Sequence, residues 1–238
     1  DGLITDEMTD SAYYEIFGGN RGDLIVDDRD FSRRRFPNFR TIRKYKMVVW
    51  IKDHFATVPY FAEESRNLEA YLHAGGKLVM IGSNIMQSFM DDSYYLTAPC
   101  EPCIAYPAKF SSSSWNWFMN EILHVNFGYI GDLIGNFNRA EGINQYSGLV
   151  LNPDTSKIAD IWPNYNKLSN VDVVIEPGGF TVPILKLNSD DSYVDQQACG
   201  VRYYGSGFDV IYIGAPIWHM QAEDAKLLGE KILEDMDF

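Results

Sequence analysis

The segment from Tyr45 to Ser83 constrains the fold of this chain more than any other part of it. Two continuous apolar runs, 47–51 and 78–81, lie on either side of a segment with helical periodicity, 62–73. Its apolar side chains Leu68, Tyr71 and Leu72 share one helical face, and charged residues take the other. Gly75 and Gly76 end the helix, because a residue without Cβ enters the left-handed conformation at little cost. The pattern predicts a β-α-β unit with strands buried on both faces.

The rest of the chain extends this unit into a predicted α/β domain. Leu24–Val26 and Val210–Ile213 are apolar like the two strands of the unit, and we expect all four to be neighbouring, mostly parallel strands. A C-terminal helix is predicted from Ala222, and the Gly- and Asn-rich segment 127–146 is predicted to form loops. Shorter strands separated by turn residues are predicted at Leu149–Leu151, Val171–Ile175, Val182–Leu187 and Ala198–Tyr204. The expected fold is a three-layer sandwich with a mostly parallel central sheet and antiparallel strands added in the C-terminal half.

Charge and hydropathy exclude some classes of partner. The formal net charge is −13, which argues against nucleic acid and anionic membrane as partners. No apolar run approaches the roughly 20 residues that a membrane-spanning helix needs, so no membrane insertion is expected. Aromatic residues make up 14% of the chain, which suits either a well-filled core or a binding surface for sugars.

Three cysteines leave two interpretations open. Cys100 and Cys103 lie three positions apart in a Pro-rich segment, and Cys199 stands alone. A redox-active pair normally opens a helix after a strand, and a zinc site needs two further ligands that the sequence does not supply. Cys100 and Cys103 are therefore expected to be a local disulfide or two free thiols, with no metal and no cofactor.

Three segments together resemble the class I glutamine amidotransferase-like fold. They are Tyr45–Trp50, Leu68–Gly82 and Val201–Gly214. The resemblance is closest to versions of that domain found inside large secreted or cell-surface bacterial proteins, and it covers most of the chain. It implies a flavodoxin-like sheet, one domain spanning 1–238, an extracellular or cell-surface location, and other domains of the same polypeptide as partners.

The resemblance also implies where catalytic residues would lie. Catalytic members of the class carry a Cys nucleophile at the turn after the strand that matches Leu78–Ile81, but this chain has Ser83 there. They also carry a His and an acidic residue after a late strand, and His219 and Glu223 occupy the matching region. A serine at a strand-to-helix turn can be activated by a neighbouring His, but it is also a common helix N-cap. The absent thiol argues against amidotransferase activity.

Two functions from different classes follow. The first is a non-catalytic accessory or surface domain that binds a glycan or a partner protein. The second is a hydrolase or amidotransferase-like enzyme that uses Ser83, His219 and Glu223. Polar and aromatic residues beyond the carboxyl ends of the strands are candidates for ligand contact in either case, because open α/β sheets bind ligands at that edge. These candidates are Asp53, His54, Asn84 and Trp218.

The start of the sequence predicts a boundary inside a longer protein. In this fold the first strand ends in an acidic residue and a Gly before the first helix, and Asp1-Gly2 followed by the helical segment 5–17 resembles that junction. Removing the strand upstream would uncover hydrogen-bonding groups of its neighbours, which folded proteins rarely tolerate. The chain is therefore expected to be a domain excised from a longer polypeptide.

Overall fold

The computed structural model describes most of the chain in eleven pieces. These are residues 6–19, 39–52, 65–83, 85–88, 108–111, 118–131, 137–161, 168, 171–192, 194–205 and 207–238. The predicted strand Leu24–Val26 lies outside the described residues, as does the start of the chain.

Helices make up a small part of the described structure. They are α1 (Asp6–Ile16), α2 (Phe39–Ile42), α3 (Ser65–His73), α4 (Ile85–Ser88), α5 (Thr155–Ile161) and α6 (Ala222–Asp235). A π-helical turn, Phe118–Ile122, and two 3₁₀ turns, Asn144–Tyr146 and Ile217–His219, complete the set. In the described part of the chain, no helix is both long and apolar enough to cross a membrane.

Ten strands form one sheet in the described residues. They are β1 (Met47–Lys52), β2 (Lys77–Gly82), β3 (Ala108–Ser111), β4 (Val125–Gly131), β5 (Phe137–Gly142), β6 (Val150–Leu151), β7 (Val171–Pro177), β8 (Thr181–Ser189), β9 (Ala198–Tyr204) and β10 (Asp209–Ile213). The main order is β1-β2-β10-β9-β7-β4-β3, while β8 pairs with β9 and β5, and β5 pairs with β6.

The prediction of a mostly parallel, flavodoxin-like sandwich is wrong. Among the described strands only β2 forms parallel pairs, with β1 and with β10, and the other seven pairings are antiparallel. The sheet is mixed and curls into an open half-barrel with few helices. The β-α-β pattern does not extend to the C-terminal strands. These strands follow one another through short connections, and short connections favour antiparallel pairing.

The predicted β-α-β unit itself is confirmed. β1 pairs with β2 in parallel from Met47↔Lys77 to Lys52↔Gly82, and α3 connects them. β10 pairs with the other edge of β2, in parallel, so three of the four strands expected at the centre are neighbours. The predicted C-terminal helix is present as α6.

The segment 127–146 is not an insertion of loops. Its described residues include most of β4, which pairs with β3 and β7, and the whole of β5, which pairs with β8 and β6. Gly and Asn are unfavourable in strands on propensity alone, but pairing on both edges outweighs that preference here. β4 carries register irregularities near Phe127, which is where a Gly-containing strand accommodates bulges.

The hydrophobic core lies on both faces of the parallel strands. Side chains alternate between faces along each strand, so Val79, Ile81 and Ile213 pack on one face and Leu78 and Met80 on the other. The first face is covered by α1 and α6, and the second by α3, α4 and the π-helical turn. These two faces are called the α6 face and the α3 face below.

Candidate functional site

The carboxyl ends of the parallel strands carry a group of buried polar side chains. Lys52 ends β1, Ser83 follows β2, Tyr212 lies near the end of β10, and Asp172 lies in β7. Each of them is at most 6% exposed. Open α/β sheets bind ligands at this edge, which makes the group the first candidate for a functional site.

Asp172 is the centre of this group. Its Oδ2 accepts a hydrogen bond from Tyr212 Oη at 2.5 Å and another from the Met86 backbone N–H at 3.0 Å. Its Oδ1 is buried and accepts no hydrogen bond from the described residues. Burial raises the pKa of Asp172 to about 6, although the Tyr212 hydroxyl, the Met86 amide and the charge of Lys52 oppose that rise. Burial also raises the pKa of Tyr212 well above its usual range.

Lys52 supplies positive charge on the same side of the sheet. Burial lowers the pKa of its ammonium group to about 8, and the nearby carboxylate of Asp172 partly offsets this effect. With such a pKa, a buried amine is partly neutral near pH 8 and can accept a proton. Lys52 and Asp172 together therefore have the composition of an acid–base pair. The same pair also matches a structural ion pair, in which two opposite buried charges compensate each other within the core.

Ser83 lies in the turn between β2 and α4. Its backbone N–H donates to the carbonyl of Lys52 at 2.8 Å, which continues the pairing of the two strands. Its Oγ is fully buried and makes no hydrogen bond with the described residues. Ser83 Oγ is therefore not hydrogen bonded to His219, the base that the sequence predicts for it.

His219 is held in a different part of the molecule. It ends the 3₁₀ turn Ile217–His219, and its carbonyl accepts a hydrogen bond from the Asp154 N–H at 2.7 Å. The imidazole is 2% exposed, and burial together with the charge of Lys157 lowers its pKa to about 4. Ile217 and Met220, on either side of this residue, pack into the core of the α6 face.

In the structure the Ser83 hydroxyl does not hydrogen bond to His219 or to Glu223. Ile85 and Met86, which follow Ser83, pack on the α3 face, whereas the turn that carries His219 packs on the α6 face. Glu223 is exposed in the first turn of α6, where a carboxylate interacts favourably with the helix dipole. In this arrangement Glu223 complements a helix end and is not shown orienting an imidazole.

Trp218 is half-buried and belongs to a local cation–aromatic contact. Lys157 Nζ lies 4.2 Å from the centre of the Trp218 ring and donates to the Trp218 carbonyl at 2.8 Å. These contacts fix the ring against α5. The other predicted ligand-binding residues, Asp53, His54 and Asn84, lie outside the described residues, and so do Cys100 and Cys103.

Sequence reasoning missed Asp172 and Tyr212 as partners. The available signal was a carboxylate inside an apolar strand, Val171-Asp172-Val173, because a charged residue at a buried strand position needs a compensating contact. Its partner Tyr212 comes from a strand 40 residues away, so only the pairing of β10 within the sheet identifies it.

The fold can be compared with known proteins once this geometry is established. No family model and no curated protein matches the chain. Among solved structures, a β-galactosidase from Rahnella sp. R3 is 11% identical with a TM-score of 0.52, and the match covers 99% of this chain and 28% of that one. A β-galactosidase from Bacillus circulans sp. alkalophilus is 13% identical with a TM-score of 0.48, covering 98% and 28%.

These similarities concern the fold alone. At 11% identity the match to the Rahnella sp. R3 protein shows that the same mixed, curled sheet occurs within a longer chain. This chain spans little more than a quarter of the length of that protein. A shared fold does not imply a shared function, so the activity of the longer protein is not assigned to this chain.

Proposed function

We propose that this chain is a non-catalytic accessory domain of a longer polypeptide and that it binds a glycan or a partner protein. The observation that carries the proposal is the environment of Ser83. Its hydroxyl is fully buried without a hydrogen-bond partner among the described residues, so His219 does not hydrogen bond to it. Nucleophilic catalysis requires a base within hydrogen-bond reach of the nucleophile, and none of the described bases forms a hydrogen bond with Ser83 Oγ.

Comparison with solved structures supports the accessory role at the level of fold. A sheet with this arrangement occupies about a quarter of the β-galactosidase from Rahnella sp. R3, so it occurs as one part of a larger enzyme. By analogy we propose that the partners of this chain are other domains of the same polypeptide. We further propose an extracellular or cell-surface location, on the resemblance to domains of large secreted bacterial proteins. Protease accessibility of the native protein on intact cells tests that location.

Assays of the isolated chain test the absence of catalysis. The chain should show no turnover of p-nitrophenyl acetate, glutamine or o-nitrophenyl β-galactoside above the buffer rate. Ser83→Ala is the matched variant, because removing a buried hydroxyl that has no partner should leave stability unchanged or raise it by about 1 kcal/mol. Turnover by the wild-type chain that disappears in a folded Ser83→Ala variant would establish the hydrolase alternative and end the proposal.

A further inference from the structure

We propose that a groove between α3 and the π-helical turn Phe118–Ile122 is a binding site for a neutral oligosaccharide. The inference deepens the proposed function, since it names the ligand class and the site of an accessory binding domain. The groove lies on the α3 face, and its lining residues do not include those of the buried group around Asp172.

The groove has the size and lining of a small-ligand site. Its volume is about 460 Å³, and it is lined by Arg66, Glu69 and His73 of α3 and by Glu121 and Ile122 of the π-helical turn. Arg66, Glu69 and His73 recur at a spacing of three and four residues, which places them on one side of the helix. Ligand pockets in proteins commonly measure about 300–1,000 Å³.

The groove presents both donors and acceptors of hydrogen bonds. Arg66 and the ring N–H of His73 donate, whereas Glu69 and Glu121 accept. Glu69 Oε1 lies 3.7 Å from His73 Nε2, and both side chains remain substantially exposed, at 41% and 60%. Their polar atoms are therefore accessible to a ligand. Sugar hydroxyls donate and accept at once, so a ligand rich in hydroxyl groups matches this mixed set.

A row of contacting aromatic side chains lies beside the groove. His73 contacts the edge of Phe208 with ring centroids 5.6 Å apart, Phe208 stacks on Tyr203 at 5.1 Å, and Tyr203 stacks on His124 at 4.9 Å. Phe208 is half-buried, so part of its ring remains accessible. The stack fixes its orientation, which lowers the entropy cost of presenting an apolar surface to the C–H groups of a sugar ring.

Charge in the groove disfavours an anionic ligand. Two carboxylates in the groove and a net charge of −13 disfavour acidic glycans and other polyanions. Arg66 offsets one of the two carboxylates and so weakens the attraction of the groove for a basic peptide. A neutral chain of sugars meets no repulsion, and its hydroxyl groups engage the carboxylates and the guanidinium together.

Sequence reasoning could not find this groove. Arg66 and Glu69 have the pattern of a solvated helix face, and His73 lies in the last turn of the same helix. Glu121 comes from a turn 52 positions after Glu69, and Phe208 immediately precedes β10. The groove therefore exists only in the folded chain.

Calorimetric titration of the whole chain with single probes tests the inference. The probes are β-1,4-galactotetraose, cellotetraose and maltotetraose, with tetralysine as the peptide comparison. At least one tetrasaccharide should bind, and Glu121→Gln and Phe208→Leu should each weaken that binding on the order of tenfold. Glu230→Gln, an exposed change on α6, is the matched control and should leave binding unchanged.

Several results would overturn the inference. One is no binding by any of the three tetrasaccharides, and another is binding that Glu121→Gln and Glu69→Gln leave intact. Glu69→Gln provides a second partly exposed change should Phe208→Leu fail to fold. Binding of tetralysine in place of the sugars would reassign the groove to a basic peptide. Catalytic turnover, by contrast, would end the proposed non-catalytic role and leave the titration result standing.

Discussion

At the scale of single residues, two buried ionisable groups have pKa values displaced in opposite senses. Burial raises the pKa of Asp172 from 3.8 to about 6, and it lowers the pKa of His219 from 6.5 to about 4. In both cases burial disfavours the charged form. Neither residue has an established chemical role, but each couples folding to pH in a way that can be measured.

The two residues should give opposite pH dependences of stability. The folded state binds the Asp172 proton more tightly than the unfolded state, so this residue's contribution is fully present below pH 3.8 and is lost as the pH rises through 6. His219 stays neutral in the fold, so its contribution is present above pH 6.5 and is lost as the pH falls through 4. Each effect amounts to up to about 3 kcal/mol.

Urea denaturation of Asp172→Asn and His219→Gln between pH 4 and pH 7 checks this prediction. Relative to wild type, Asp172→Asn should be more destabilised at pH 4 than at pH 7, and His219→Gln should show the reverse. Each variant serves as the control for the other, because both replace a buried ionisable group with an amide. Parallel pH profiles for wild type and both variants would contradict the assigned shifts.

At the scale of secondary-structure elements, the junction of β1 and β2 depends on one glycine. Gly82 has φ of 146°, and a Cβ built there would lie 2.0 Å from the carbonyl oxygen of Lys52. That carbonyl accepts the hydrogen bond from the Ser83 N–H. A side chain at Gly82 would therefore push the two parallel strands apart at the end that carries the buried polar group.

Comparison with Gly75 isolates the steric effect. Gly75 also has positive φ, 86°, but a Cβ there meets nothing within 4 Å. Gly75→Ala should cost about 1–2 kcal/mol from backbone strain alone. Gly82→Ala should cost clearly more, because backbone overlap is added to the strain. Equal free energies of unfolding for the two variants would show that the β1–β2 junction is not tightly packed.

The elements also show where sequence patterns succeed and fail. The apolar runs at Met47–Ile51 and Leu78–Ile81 predicted their strands correctly, because the side chains of each strand pack against the core on both faces of the sheet. The prediction of loops for the segment 127–146 was wrong. Its Gly and Asn residues indicate loops locally, but β4 and β5 are stabilised by partners distant in sequence.

At the scale of the whole molecule, β9 connects the two parts of the sheet. One of its edges pairs with β10, which joins it to the parallel strands, and at Ala198 with β7, and the other edge pairs with β8. Cys199 lies in β9, is fully buried in the core of the α6 face, and has its pKa raised to about 12 by burial. Exposure of this thiol requires that the sheet open at its centre.

Cys199 should therefore report global unfolding. In a Cys100→Ser/Cys103→Ser background, labelling of Cys199 by a disulfide reagent should be slow in native buffer, and its rate should follow the population of unfolded chain. Adding Gly82→Ala should accelerate labelling by about tenfold for each 1.4 kcal/mol of lost stability. Rapid labelling of the native protein, with no dependence on urea, would mean that β9 opens locally.

The sequence by itself determined the elements whose signals are local. The β-α-β unit, the C-terminal helix α6 and the strands β7 to β10 follow from periodicity and from glycine positions, since these depend on neighbours a few residues away. Only the tertiary structure decided that most strands pair antiparallel, that Ser83 Oγ and His219 form no hydrogen bond, and that Asp172 meets Tyr212. Each of those outcomes depends on contacts between segments far apart in the chain, and the free energy of such contacts is set by how the whole sheet closes.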